Sequence, residues 1–180
     1  AMRDRVLAMQ GDSPPTRKAW LFTSATLGHD ANMASFLDTC GLHGARRLQV
    51  QSPFDYRKQA ALYIPADMPI PADPQHLAAV ASLVAQGASV LGGRTLVLTT
   101  TLQSMRFLGQ ALRSHFAPTN GICVLVQDEA PKRALLARFA QASGTGKCGC
   151  ILVASESFWE GIDVAGDALQ MVVIDKLPFS

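Results

Sequence analysis

No apolar run in the 180 residues approaches the roughly 18 that a membrane-crossing helix needs, and the amino end lacks a signal-peptide pattern. The chain therefore reads as cytoplasmic, with no membrane partner. Excess charge of one sign is also lacking. A net charge of +2 neither supports nor excludes a nucleic-acid partner, because local basic patches matter more than the total. Cysteine is sparse, and Cys40, Cys123, Cys148 and Cys150 include no Cys-x-x-Cys pair. The histidines His29, His43, His76 and His115 show no ligand spacing relative to them, so no metal site is expected. Buried, reduced thiols are expected instead, as in an intracellular protein. There is no internal repeat and no low-complexity segment. With 48% apolar and 17% charged residues, the length suits one soluble domain with a single sizeable core.

Two signatures of chemistry are missing as well. No Gly-x-Ser-x-Gly elbow occurs. The stretch "SGTGKCG" (143–149) imitates a phosphate-binding loop but breaks its spacing. Gln141 stands where the first glycine belongs, and Cys148 follows Lys147 in place of serine or threonine. The stretch also precedes a strand-like run, whereas a phosphate loop follows a strand and opens a helix. It reads as a helix-to-strand turn.

What is present is an alternation of apolar runs and helix-like stretches. "AWLF" (19–22), "TLVLT" (95–99), "ICVLV" (122–126), "CILVA" (150–154) and "LQMVVI" (169–174) lack polar alternation, as expected of strands buried on both faces. "AALYI" (60–64) is a weaker strand candidate. Between them, Asp30 caps "ANMASFLDTC", which stops at Gly41. Asp73 or Pro74 opens "QHLAAVASLVAQ", which stops near Gly87. "LQSMRFLGQALRSHF" follows Thr101, and "PKRALLARFAQA" runs from Pro131 to just before Gly144. Alternation of this kind predicts an α/β fold, a mostly parallel sheet with helices on both faces.

Hydroxyls, amides and carboxylates collect where the strands end: "TSATL", "TTTLQS", Gln127-Asp128, "SESFWEGID" and "DKLPF". In open parallel sheets that carboxyl edge binds ligands. The densest cluster is "SESFWEGIDV" (155–164), between two apolar runs.

Three segments in order, "LFTSATL" (21–27), "TLVLTTTLQSM" (95–105) and "ILVASESFWEGIDVAGDALQMVVIDKLPF" (151–179), resemble motifs III, IV and V of superfamily 2 helicases. Phe-Trp-Glu-Gly-Ile-Asp-Val-x-Gly followed by Lys-Leu-Pro-Phe is similar to the DinG/XPD-like branch. "SPF" (52–54) and "LYIPADMP" (62–69) also resemble that pattern. The resemblance implies a RecA-like P-loop NTPase-type fold, here a second helicase lobe without its own P-loop. It further implies ATP hydrolysis coupled to translocation on single-stranded DNA and duplex unwinding, in a DNA-repair setting. In that family the first lobe carries the phosphate loop, the Mg²⁺-binding acidic box and a 4Fe-4S cluster domain. The chain begins just before motif III and stops at Ser180, before any motif VI. It is therefore expected to be a single-domain piece (1–180) of the second lobe, inactive alone, whose partners are single-stranded DNA and the first lobe. The rival expectation is a stand-alone α/β binding or interaction module.

Each residue has a functional and a plain reading. Gly161 would let backbone approach a nucleotide, and Asp163 could accept from ribose hydroxyls or orient an arginine. Their plain reading is a turn with an exposed carboxylate. Glu160 would face the same ATP cleft, or is a solvated charge. Phe158 and Trp159 are packing anchors, with base stacking, worth ~1–3 kcal/mol, as the alternative. Thr99, Thr100, Thr101, Ser104, Ser155 and Ser157 suit DNA phosphates at a helix start, with Arg106 adding charge; their alternatives are helix capping and a solvated face. By the resemblance, Ser24, Ala25 and Thr26 sit at a strand end where motif III couples the ATP cleft to the DNA track; their plain reading is a capping turn ahead of the Asp30 helix. Gln127 could touch either ligand. No metal ligand and no complete catalytic set is expected in these residues.

Overall fold

The structure is a computed structural model in which residues 20–24, 32–117, 121–144 and 149–178 are described. The chain divides into two compact units, Ala1–Tyr63 and Ile64–Ser180. In the first, α1 (Ala34–Cys40) buries Leu37 and Cys40 and stops at Gly41, as its sequence predicts. Met33, not a side-chain cap, precedes it, and Asp30 lies outside the described residues. A short α2 (Tyr56–Gln59) follows. Residues 20–22 form no strand, nor does 60–64, because neither run has a ladder partner among the described residues. Apolar character alone does not make a strand when its backbone groups find no neighbour. Phe22 packs instead edge-on against Phe36, with ring centroids 6.0 Å apart.

The second unit carries the predicted α/β pattern. Its elements run α3 (His76–Leu91), β1 (Thr95–Leu98), α4 (Leu102–His115), β2 (Cys123–Val126), α5 (Lys132–Gly144), β3 (Cys150–Ala154) and β4 (Met171–Ile174). All strand pairings are parallel, in the order β2-β3-β1-β4. Successive residues of a strand point to opposite faces, and the packing follows that rule. Val97, Ile151 and Val153 pack under α3 and α4 with Val84, Met105 and Leu108. Leu96, Leu98 and Leu152 face the other way onto Leu135 and Phe139 of α5. Helices thus cover both faces. Truncating a fully buried Leu135 or Phe139 to alanine costs about 2–5 kcal/mol.

Three local expectations are corrected. Gly87 does not end α3, which continues to Leu91 and closes at Gly92. A side chain at Gly87 would come within 2.7 Å of the Met171 thioether end, so this glycine serves close approach of α3 to β4. β4 is not buried on both faces. It is an edge strand whose Val172 and Ile174 remain 51% and 43% exposed, since only the α3 side is covered among the described residues. Cys123, at the start of β2, is exposed, whereas Cys40 and Cys150 are buried.

No helix of the described residues is long and apolar enough to cross a membrane. The link from β3 to β4 has no α-helix, only two single 3-10 turns at Glu156–Phe158 and Gly166–Ala168. From Ser155 it leaves the carboxyl rim and reaches the amino end of the sheet, where Gln170 N–H donates to Arg94 O at 2.9 Å. Phe158, Trp159, Ile162, Val164 and Leu169 turn into the α5-side core along the way. The apolar positions of that link replace a crossover helix's buried face.

Candidate functional site

Strand register builds the site. Leu98 stands level with Ala154 and with Ile174, and Val126 with Val153. The next residues, Thr99, Ser155, Asp175 and Gln127, therefore meet at the carboxyl rim. Thr99 N–H donates to Ala154 O at 2.8 Å, and Asp175 N–H to Leu98 O at 3.1 Å.

The loop after β1 satisfies most of its groups by itself. Thr101 is extended and its Oγ1 accepts from Ser104 N–H at 3.1 Å, capping α4, while its oxygen lies 2.8 Å from Ser104 Oγ. Such a cap is worth about 1 kcal/mol. Thr99 is fully buried, and its hydroxyl is shared between Thr101 O and Ala154 O. Thr100 Oγ1 is buried with no hydrogen-bond partner among the described residues. Of the hydroxyl set, Thr101 is exposed and Ser104 partly so. Arg106 projects from the same helix and donates to Asp128 at 3.0 Å; both side chains are largely exposed, so the pair contributes little stability.

The loop after β3 is held from a distance. Gln127 Oε1 accepts from both Ser155 N–H (2.7 Å) and Ser155 Oγ–H (3.1 Å). Lys132, in the first turn of α5, donates from Nζ to Ser157 O (2.7 Å) and Glu160 O (2.9 Å). The same ammonium lies 4.9 Å from the Phe158 ring centroid. Trp159 Nε1–H donates to Thr99 O at 3.3 Å, which ties the two rim loops together. Phe158 is buried and Trp159 half-buried, so both anchor the loop by packing. Ser155 is buried, whereas Ser157, Glu160, Gly161 and Asp163 are exposed. Gly161 has φ of 66°, a left-handed value that disfavours any residue with a Cβ.

Ser24 is exposed and outside any strand, in the first unit; Ala25 and Thr26 lie outside the described residues. Two contributors, Lys132 and His76, escaped the sequence reading, and Asp175 entered it only as part of the rim segment "DKLPF". Lys132 looks there like an ordinary first-turn cation. His76 is buried, with Nδ1 2.7 Å from Pro69 O and Nε2 3.1 Å from Asp175 O, so it fastens the proline-rich loop beside the rim. Asp175 is buried next to it. Burial raises its carboxyl above the ordinary aspartate range, against the opposing pull of the Lys176 and Thr100 backbone N–H groups and of nearby charge. Among the described residues no three His, Cys, Asp or Glu side chains gather as a metal ion would require.

The family model described as the helicase C-terminal domain matches residues 84–180, taking in all four strands. The chain is 37% identical to the ATP-dependent DNA helicase YoaA of Escherichia coli over 162 residues, 90% of this chain and 24% of that protein. It is 30% identical to the ATP-dependent helicase DinG of Mycobacterium tuberculosis over 167 residues, 91% of this chain and 24% of that one. Identity to the ATP-dependent DNA helicase DinG of Photobacterium profundum is 32% over 164 residues, 88% and 23% of the two chains. The chain thus spans about a quarter of the length of these relatives. No solved structure gives a significant match.

Proposed function

The chain belongs to the helicase C-terminal domain family, and from that premise we propose that it forms part of the second RecA-like lobe of an ATP-dependent DNA helicase. The parent reaction is ATP hydrolysis coupled to movement on single-stranded DNA and duplex separation, in DNA repair in the cytoplasm. One observation supports this reading above the others. Phe158, Trp159, Ile162 and Val164 turn into the core, leaving Glu160, Gly161 and Asp163 outward between them. They start from the carboxyl rim of a parallel sheet, the edge at which such sheets bind ligands.

In this reading Asp163 accepts from ribose hydroxyls or orients an arginine, and Glu160 pairs with a basic group across the cleft. Thr101, Ser104 and the amides at the start of α4 meet DNA phosphates without reading sequence. Arg106 joins them by exchanging Asp128 for a phosphate. Ser24, Ala25 and Thr26 couple the two tracks. Phosphoryl transfer depends on positioning and charge stabilisation, and this lobe's part is to close the site. ATP is gripped mainly by the first lobe, which also holds Mg²⁺ and the 4Fe-4S cluster.

The test is phosphate release by the full-length parent with no DNA, duplex DNA and single-stranded DNA. Strong stimulation by single strands is expected. The 180-residue chain alone, which contains no phosphate loop, should release none. A full-length protein indifferent to DNA would sink the reading.

A further inference from the structure

The backbone of the 155–161 loop turns two carbonyls, Ser157 O and Glu160 O, toward one point, and the Lys132 ammonium sits there. Backbone carbonyls that converge outside a helix or sheet ladder need a donor, and a charged donor makes the stronger bond. Lys132 reaches them from another element, 25 and 28 positions earlier in the chain. Its charge meets no carboxylate at ion-pair distance among the described residues. The Phe158 ring centroid lies 4.9 Å from the same ammonium, and a Cβ added at Gly161 would fall 4.0 Å from it. Gly161, with its left-handed φ, is the joint through which the chain reaches Asp163. Fixing carbonyl 160 therefore fixes the plane of the peptide that enters this joint.

We propose that Lys132 is the positioning residue of this loop: by holding carbonyls 157 and 160 it sets the direction of Glu160 and the path into Gly161 and Asp163 before any ligand arrives. The proposal rests on the reading of this loop as the nucleotide-facing edge. Lys132 touches no substrate in this scheme; it acts through the backbone it holds. Gln127 fixes where the loop starts and Trp159 ties it to the β1 loop, so removing Lys132 frees the middle of the loop while leaving its entry anchored.

Two measurements test this. The chain has two tryptophans, Trp20 and Trp159, so a Trp20→Phe background isolates Trp159 emission. In that background Lys132→Met, which keeps the stem and removes the donor, should shift the emission to the red and increase acrylamide quenching. Lys132→Arg should shift it less. In the full-length protein, Lys132→Met should lower kcat for DNA-stimulated hydrolysis about tenfold with an unchanged melting temperature, and Lys132→Arg should recover part of it. If the methionine variant does not fold, Lys132→Gln, which is shorter and uncharged, takes its place in both assays. An unchanged Trp159 signal overturns the positioning role outright. Shifted emission with wild-type turnover, alongside a slow Asp163→Asn protein, overturns Lys132's functional part and leaves the loop reading standing. Wild-type turnover in both variants overturns the loop reading and the proposal with it.

Discussion

The loops that follow β1 and β3 start side by side, joined through Thr99 and Ala154, yet they are built by opposite means. The β1 loop is assembled mostly from neighbours in sequence: the Thr99 hydroxyl donates to Thr101 O, and Thr101 Oγ1 accepts from Ser104 N–H to cap α4. The β3 loop makes one local turn, with Phe158 N–H bonded to Ser155 O, but its side-chain clamps come from residues 25 to 28 positions away, after β2 and on α5. A locally capped loop forms whenever its helix forms, and it loses little when a distant side chain changes. A loop held by distant side chains exists only when the whole unit is packed, and its outward residues are then preset. Preset groups suit a site that must present a carboxylate in one place, because little ordering remains to be done on binding. The β1 loop, with its outward hydroxyls, suits contacts that tolerate small shifts.

The contrast predicts unequal sensitivity. The largest effect is expected from Asp163→Asn in the full-length protein. The substitution is nearly isosteric and the side chain is exposed, so the melting temperature should hold. Losing one charge-assisted hydrogen bond, worth ~1.5–3 kcal/mol, predicts a ten- to hundredfold loss of DNA-stimulated hydrolysis, with unwinding falling in parallel. Nucleotide-free binding of single-stranded DNA should hardly change. Wild-type hydrolysis in a folded Asp163→Asn protein would make the carboxylate a bystander. Gly161→Ala should come next, at about 1–2 kcal/mol of stability in urea unfolding, because alanine disfavours φ near 66°. The nearest atom to an added Cβ is Lys132 Nζ at 4.0 Å, so the cost is conformational rather than a clash. A neutral substitution would show that the loop relaxes freely and is not preset. Thr101→Ala, in the local loop, should cost about 1 kcal/mol as α4 loses its cap, and Thr101→Ser should recover most of it. If serine fails to rescue, something other than the cap holds that loop.

The same contrast explains what the sequence made legible. β1, β2 and β3 and the Thr101 start of α4 follow from nearby residues: β-branched runs, a capping threonine, an amphipathic helix. The rim cluster was legible because motif residues stand next to one another after those strands. Lys132 was not, nor was the role of Gln127 as a clamp on Ser155, since nothing in a helix's first turn or in the residue after a strand says which loop will fold against it. His76 was hidden for the same reason, bridging to Asp175 across 99 positions. Gly87 misled because a glycine that ends a helix and one that admits a neighbour's methionine look identical in sequence. The runs at 19–22 and 60–64 misled because strand formation needs a partner as well as composition. In β4 the run reads as fully buried, but edge position decides exposure, and position is set by the topology.

The smallest expected effect sharpens the comparison, because it concerns a distant carboxylate that touches the local loop. Asp175 accepts from the backbone N–H of Thr100 and of Lys176, yet burial outweighs those bonds and raises its carboxyl above the ordinary range. The folded state therefore binds this proton more tightly than the unfolded chain does. Stability from this group is fully present below the ordinary aspartate range and declines as pH rises through that range toward the raised value. Asp175→Asn should abolish the decline, whatever it does to absolute stability through its new amide hydrogens. Urea unfolding of the 180-residue chain at steps from pH 4 to pH 7, wild type against Asp175→Asn, reads the difference in slope. The wild type should lose stability relative to the variant as pH climbs. A difference of the opposite sign would mean that the N–H bonds from Thr100 and Lys176 outweigh burial, and the β1 loop would then depend on a distant charge as strongly as the β3 loop does.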